Sequence, residues 1–160
     1  MVDANVLVAG SGWPRFSYEV LRHAASGDFT LVLSRHIIEE ARVHILRLIP
    51  EALDQFEVVL RESGYEETAT LMPEEIAAHA DLVRDPKDIP VALAAISARV
   101  DCLVTQDKDF TDRGADTEEL HRRLNILLPG TFLREHMGWS SEALEAIRYR
   151  TWQDLEEEEP

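Results

Sequence analysis

Five acidic side chains occupy positions where strands or helices are expected to begin or end: Asp3, Glu40, Asp88, Asp107 and Asp109. Two carboxylates about 4 Å apart repel by about 4 kcal/mol at an effective dielectric constant of about 20, so a cluster of them needs cations or bound protons. Oxygen donors without Cys or His suit Mg²⁺ or Mn²⁺, and the six histidines show no zinc-binding spacing. With a phosphodiester substrate, such a site lowers the pKa of a bound water and stabilises the leaving oxygen. If the acids converge, the sequence therefore predicts a metal-dependent hydrolytic site.

Each of these acids also has a simpler structural interpretation when it is taken alone. Asp85 and Asp88 both stand just before a proline-containing helix start, so either can be a helix N-cap. Asp107 and Asp109 directly follow a predicted strand, where turn acids are common. Glu40 by itself is an ordinary solvated helix charge. These interpretations do not explain why all of the acids occur together and in order.

Two of the acids can be given a direction from the sequence. Asp3 lies within the apolar run Val2–Val8, which predicts a strand, and an acid inside such a run needs a partner. In the helix predicted after residue 34, Glu40 lies about 60° from Ile37 on the edge of the apolar stripe, whereas Glu39 points away from it. We therefore expect Glu40, and not Glu39, to face the interior.

Short apolar segments alternate with helical patterns along the chain. Strands are predicted over residues 2–8, 30–33, 102–105 and 125–128, with a further strand near 68–71. Helices are predicted from Pro14 to Gly27, from the N-cap Ser34 to Leu48, from Pro50 to Gly64, after Pro73, and from Ile89. Continuous apolar strands between helices indicate a parallel sheet covered on both faces, and such sheets bind ligands beyond the carboxyl ends of their strands.

The C-terminal segment adds a different pattern to this alternation. Residues 140–153 predict one amphipathic helix, with Leu144, Ile147 and Trp152 as its apolar positions. This helix either folds back on its own domain or joins a second subunit, and we expect a homodimer. The acidic run Glu156–Glu159 is expected to be mobile and outside any interface, because four adjacent like charges resist desolvation.

Charge and composition limit the class of protein. The formal net charge is −15, which opposes binding to a polyanion unless metal ions, a basic partner or a local group of arginines offset it. No apolar run approaches the ~20 residues that cross a bilayer, so no membrane association is expected. The single cysteine, Cys102, suits a reducing cytosol, and a cytoplasmic location is expected.

Four motifs together resemble those of the PIN-domain family, and they occur in the family's order from Met1 to about Leu133. They are Asp3-Ala4-Asn5-Val6-Leu7, Ser34-Arg35-His36-Ile37-Ile38-Glu39-Glu40, Arg84-Asp85-Pro86-Lys87-Asp88-Ile89-Pro90-Val91, and Val104-Thr105-Gln106-Asp107-Lys108-Asp109-Phe110. Leu128-Pro129-Gly130-Thr131-Phe132-Leu133 resembles the closing strand and helix start. The resemblance is nearest to bacterial and archaeal PIN ribonucleases that are often toxins encoded beside an antitoxin.

This resemblance implies a three-layer α/β/α sandwich with a central parallel sheet, a PIN-like nuclease domain over residues 1–138. The C-terminal helix and acidic tail over 139–160 are not part of the core that the family shares. It implies a metal-dependent endoribonuclease that uses Mg²⁺ or Mn²⁺, with RNA as substrate and an antitoxin protein as partner. By the resemblance, the metal ligands are Asp3, Glu40, Asp88 and Asp107, the assisting catalytic acid is Asp109, and the supporting residues are Asn5 and Thr105.

Two other functions remain open at the level of the sequence. An α/β phosphotransferase or phosphatase also places aspartates at strand ends, but Asn5 stands where a dehalogenase-type enzyme needs an acid, two residues after Asp3. A catalytically silent PIN-like binding module is the second alternative, and the complete set of acids argues against it. Binding of Mn²⁺ distinguishes the silent module from the enzyme.

Overall fold

The computed structural model describes residues 1–159, and helices dominate this part of the chain. Two single-turn 3-10 segments, Pro50–Ala52 and Pro86–Asp88, precede longer helices. The α-helices in the described residues are α1 (Ala4–Gly12), α2 (Phe16–Ala25), α3 (Arg35–Leu48), α4 (Leu53–Ser63), α5 (Pro73–Ala77), α6 (Ile89–Ser97), α7 (Lys108–Thr111), α8 (Glu118–Arg123), α9 (Pro129–Met137), α10 (Ser141–Ile147) and α11 (Trp152–Glu158).

The strands are short and pair in parallel, as the apolar segments between helices predict. Strand β1 (Val32–Leu33) pairs with β2 (Glu66–Glu67), and β3 (Leu103–Val104) pairs with β4 (Ile126–Leu127). A parallel bridge between Val2 and Val104 adds the N-terminus beside β3. The fold is therefore of the α/β class with parallel pairing, although in residues 1–159 the strands form two separate pairs and not one continuous sheet.

The prediction of a strand over Val2–Val8 is wrong beyond its first residue. The Asp3 side chain accepts a hydrogen bond from the Ala4 N–H at 2.7 Å and caps α1, so the chain turns into a helix at once. Val6 and Leu7 are fully buried in this helix. A helix that is apolar on most of its surface has no clear 3.6-residue pattern, so its sequence resembles that of a buried strand.

The other helix boundaries follow the local signals in the sequence. Ser34 caps α3 by accepting from the Ile37 N–H at 3.1 Å, and Gly64 ends α4 with a left-handed φ of 58°. The strand expected near residues 68–71 instead forms at β2, two residues earlier. The Thr68 N–H still donates to the Leu33 carbonyl, so the pairing with β1 reaches the start of the expected segment.

The C-terminal segment differs from the prediction of one helix over 140–153. The chain forms α10 and α11, because Thr151 starts a new helix with a capping box. Its Oγ1 accepts from the Asp154 N–H, and its own N–H donates to the Asp154 carboxylate. Most of the acidic run predicted to be mobile is helical, since α11 extends to Glu158. Two tryptophans fold this segment back: Trp139 Nε1 donates to His23 Nε2 at 2.9 Å, and Trp152 Nε1 donates to the Gly12 carbonyl at 3.0 Å.

Leu144 and Ile147, the apolar positions of α10, are buried within the chain and do not form an exposed face. The extension therefore belongs to the same packed body as the N-terminal helices. Within residues 1–159, no helix combines the length and the apolar character needed to span a bilayer.

Candidate metal centre

One buried hydroxyl connects the N-terminal acid with the acids that follow β3. Thr105 is fully buried, and its Oγ1 donates to Asp3 Oδ2 at 2.8 Å. Asn5 Nδ2 donates to the same Asp3 oxygen at 3.3 Å and to Thr105 Oγ1 at 3.3 Å. The Asp107 N–H donates to Thr105 Oγ1 at 3.0 Å. Asp3, Asn5, Thr105 and Asp107 therefore form one network at the carboxyl end of β3.

The environment of Asp3 raises the pKa of its carboxyl group. Burial raises the pKa of Asp3 above its usual range, while the hydrogen bonds from Thr105 and the Ala4 N–H oppose the rise. The negative charges of Glu40 and Asp107 raise the pKa of Asp3 further. Asp3, which the sequence predicts within a strand, is thus a buried member of the acidic group and also the N-cap of α1.

A second group of acids lies beside this network. Asp85, Asp88 and Asp109 each offer a carboxylate oxygen, and these three oxygens all lie within 4.8 Å of one another. Asp88 Oδ2 is buried and has no hydrogen-bond partner among the described residues. A buried carboxylate oxygen without a donor is costly, and a bound cation would satisfy it.

Asp88 is the most strongly perturbed acid of the site. Burial raises its pKa from 3.8 to about 7, and the charges of Asp107, Asp3, Asp85 and Asp109 contribute to the rise. The charges of both groups of acids therefore act on Asp88. Burial together with several neighbouring charges is the combination that shifts carboxyl pKa values at functional sites, so Asp88 is a candidate functional residue.

Glu40 lies on the inward edge of α3 and Glu39 lies on its outward face. Glu40 is half-buried, and its charge acts on Asp3. Its carboxylate also lies 3.8 Å from His36 Nε2, one helical turn away. Glu39 is exposed and lines a different surface groove, between α3 and α4. The two neighbouring acids therefore have different surroundings, although the structure does not bring Glu40 into the tight trio of Asp85, Asp88 and Asp109.

Asp85 was interpreted from the sequence only as a helix cap, and it does cap, accepting from the Lys87 N–H at 3.0 Å. It also places a carboxylate oxygen next to Asp88 and Asp109. The signal was present in Asp85-Pro86-Lys87-Asp88, because side chains three residues apart eclipse each other in a 3-10 turn. Spacing alone could have paired Asp85 with Asp88, but not with the distant Asp109.

Arg84 is a further residue that sequence reasoning missed. Its guanidinium lies 3.2 Å from Asp109, 3.5 Å from Asp112 and 3.5 Å from Asp116. It also donates to the Lys108 carbonyl at 3.0 Å. This arginine fixes the segment after β3 and neutralises part of the outer rim of the acidic group.

The donor set fits a hard divalent cation. The acids that converge offer only carboxylate oxygens, which Mg²⁺ and Mn²⁺ prefer as ligands. A cation bound among them would also give the buried Asp88 oxygen a partner. Of the sequence-predicted acids, Asp88 and Asp109 lie in this group with Asp85. Asp3 and Asp107 belong to the Thr105 network, and Glu40 lies on the edge of α3, where its charge acts on Asp3.

The comparisons with known proteins give one match. A family model described as PIN domain matches residues 1–109, about two-thirds of the 160-residue chain and the part that contains every acid of the site. Searches of curated proteins and of solved structures give no match.

Proposed function

The chain belongs to the PIN-domain family, whose fold is that of a nuclease, and from this premise we propose that it is a metal-dependent endoribonuclease. The observation that carries the proposal is the buried, unpartnered Asp88 oxygen, which lies beside the carboxylates of Asp85 and Asp109. Acids placed in this way repel one another unless a cation lies among them. The proposed reaction is hydrolysis of an RNA phosphodiester bond with Mg²⁺ or Mn²⁺.

In this proposal the acids share two tasks. Asp3, Glu40, Asp88 and Asp107 are the proposed metal ligands, and Asp109 is the assisting acid. Asp85 is added to the ligands because its carboxylate lies close to those of Asp88 and Asp109. A divalent ion bound there lowers the pKa of a water molecule and neutralises charge on the phosphate. Thr105 and Asn5 hold Asp3 and Asp107 in register, and Thr105 keeps its hydroxyl hydrogen directed at Asp3.

The proposal extends to architecture and biological role. We propose that the two strand pairs and the Val2–Val104 bridge form the central layer of a three-layer α/β/α sandwich. The parallel pairing in both pairs and in the bridge supports this arrangement. The proposed role is that of a toxin paired with an antitoxin, and the order of the motifs supports it. The proposed location is the cytoplasm, which the free, buried Cys102 supports. A small open reading frame that overlaps this gene would support the toxin role.

A homodimer is also proposed, through a surface other than the C-terminal helix. Val43 and Leu46, three residues apart on one face of α3, are 60% and 51% exposed, so this face presents apolar side chains to solvent. An apolar surface is needed where two negatively charged subunits pair. Light scattering of Leu46→Glu checks this: the wild type is expected at twice the 18.2 kDa chain mass, and the variant at the chain mass. A wild type at the chain mass would reject the dimer.

RNA cleavage tests the proposed activity. The protein should cut RNA with Mg²⁺ or Mn²⁺ and be inactive in excess EDTA, and Asp3→Asn or Asp88→Asn should abolish cleavage. Glu40→Gln should lower the rate strongly, whereas Glu39→Gln should leave it unchanged, because Glu39 faces away from the acids. Undiminished cleavage in EDTA would contradict the mechanism. Equal effects of the two glutamate variants would contradict the role of Glu40.

A further inference from the structure

A surface groove begins one residue away from the metal-centre acids. Gln106, which precedes Asp107, forms the inner end of this groove of about 370 Å³. The Gln106 N–H donates to Asn5 Oδ1 at 3.1 Å, and its side-chain amide donates to Ser17 Oγ at 3.2 Å. The floor of the groove is thus fixed to the same network that holds Asp3. The groove therefore adjoins the acids through Gln106, the residue before Asp107.

The walls of this groove carry positive charge in a protein of net charge −15. Arg15 comes from the turn between α1 and α2, Arg148 follows α10, and Trp13 adds an aromatic ring that is 45% exposed. No Asp or Glu is among the described residues that line it. The groove between α3 and α4 differs, since its three arginines are matched by three glutamates. The groove beside Gln106 therefore has two lining arginines, and after Glu145, which pairs with Arg148, is counted, an excess of one positive charge remains.

A buried ion pair holds the two arginine-bearing segments together. Arg150 is 7% exposed, pairs with the buried Glu19, and donates through Nε to the Pro14 carbonyl at 2.7 Å. Arg15 Nε in turn donates to the Arg150 carbonyl at 3.3 Å. These bonds fix the turn after α10 against the turn before α2. Arg148 is consequently held on the rim of the groove although it lies far from Arg15 in the chain.

Arg148 can exchange its present partner for a phosphate. Its Nε lies 2.8 Å from the Glu145 carboxylate in a pair whose side chains are 49% and 65% exposed. An exposed pair of this kind contributes little to stability, so its loss opposes phosphate binding only weakly. Guanidinium groups bind phosphate oxygens with two parallel hydrogen bonds, which favours the exchange.

We propose that this groove binds a single strand of RNA, with Arg15 and Arg148 on its phosphates and Trp13 stacked on a base, and directs it to the metal-centre acids. The inference rests on the proposed ribonuclease function. A single strand fits because its unstacked bases can meet an aromatic ring, whereas the bases of a duplex are stacked on each other. Arg148 lies outside the family-matched residues 1–109, so the C-terminal extension adds a substrate contact to the nuclease domain.

Binding of a labelled oligouridylate of about ten nucleotides tests the groove. Fluorescence anisotropy is measured at low ionic strength with Ca²⁺, which takes oxygen ligands, and a gel checks that the oligonucleotide stays intact. Arg148→Glu is expected to weaken binding about tenfold or more, and Arg15→Ala about fivefold. Trp13→Ala should weaken it severalfold, whereas Trp13→Phe, which keeps a ring, should change it little.

The matched control is Arg122→Glu. Arg122 pairs with Glu119 at 2.8 Å with the same three-residue spacing as Arg148 and Glu145, and it is also exposed. This variant makes the same change in net charge at a position that does not line the groove and should weaken binding less than twofold. The slope of log affinity against log salt should fall by about 0.7 for Arg148→Ala, one phosphate contact on a single strand, and stay unchanged for Arg122→Ala.

An equal loss of oligouridylate affinity in Arg148→Glu and Arg122→Glu would contradict RNA binding in the groove, because the change in net charge would then explain the effect. Absence of binding by the wild type would overturn it as well. Neither result would touch the proposed function, which the cleavage assay decides separately. Conversely, RNA bound in the groove but never cleaved with Mg²⁺ or Mn²⁺ would uphold the groove and reject the ribonuclease.

Discussion

Thr105 donates its hydroxyl hydrogen to Asp3 Oδ2 at 2.8 Å, although 102 residues separate the two in the chain. The same hydroxyl accepts from the Asp107 N–H at 3.0 Å. One buried oxygen therefore sets the position of two acids that belong to different motifs. The acids are brought together by a polar contact inside the core, and not only by the ends of neighbouring strands.

Thr105→Val should loosen the acidic site while keeping the shape of the side chain. The substitution removes the partner of the Asp107 N–H and leaves Asp3 Oδ2 with only the Asn5 amide, at 3.3 Å. We expect it to lower the free energy of unfolding by about 1–3 kcal/mol. Thr105→Ser keeps the hydroxyl and should cost less. Urea denaturation measures both variants. Equal stability of the valine and serine variants would show that the hydrogen bonds do not hold the site.

Asp88 should make the metal-free protein less stable as the pH rises. Its pKa is raised from 3.8 to about 7 in the folded state, so between these values the folded protein holds a proton that the unfolded chain releases. The free energy of unfolding therefore falls from about pH 4 to pH 7 and then levels off. Asp88→Asn removes this loss and should be about 1–2 kcal/mol more stable than the wild type above pH 7, after discounting for solvent screening.

Thermal unfolding in EDTA at several pH values measures this difference. Glu39→Gln is the control, because it removes one negative charge on the exposed face of α3. The difference in stability between Glu39→Gln and the wild type should change much less between pH 4 and pH 7 than the difference between Asp88→Asn and the wild type. Adding Mg²⁺ should stabilise the wild type more than Asp88→Asn. A stabilisation of Asp88→Asn that is equal at all pH values would contradict the raised pKa.

Much of the fold follows from local signals in the sequence. Ser34 and Gly64 mark helix ends because a cap hydroxyl and a left-handed glycine act within one turn of the chain. The N-terminal helix α1 was missed because its apolar residues are buried on most sides and leave no helical period. The break at Thr151 was missed because the apolar positions on both sides of it suggested one continuous helix.

The site could be predicted as a set of acids but not as a geometry. The order of Asp3, Glu40, Asp88 and Asp107 along the chain, together with the family resemblance, indicated a metal site. The nearness of Asp85 to Asp109 and the contacts of Arg84 depend on how the segment after β3 folds against the 3-10 turn. The position of Arg148 beside Gln106 depends on the docking of the C-terminal extension. Such long-range relationships leave no mark in local sequence.

The buried pair of Glu19 and Arg150 should be important for stability. Both side chains are 6% exposed, so Arg150→Met leaves a buried carboxylate with only Arg22, 3.4 Å away, to compensate it. We expect a loss of about 3 kcal/mol in the free energy of unfolding. Adding Glu19→Met to this variant should recover most of the loss, since no unpaired charge remains.

Urea denaturation measures the single and double variants, with Arg122→Met as the control. Arg122 is 67% exposed, so its replacement should change stability by less than about 0.5 kcal/mol. If the double variant is no more stable than Arg150→Met alone, the loss comes from packing or from the bond to Pro14, and not from the uncompensated charge.

Equilibrium binding of Mn²⁺, followed by electron paramagnetic resonance, tests most directly whether the acids form a cation site. The account predicts saturable binding by the wild type below the millimolar range, much weaker binding by Asp88→Asn, and unchanged binding by Glu39→Gln. This result would also separate the enzyme from a silent binding module, whose degenerate site should bind no Mn²⁺ in that range. Absence of saturable binding by the wild type, or equal binding by wild type and Asp88→Asn, would contradict the account.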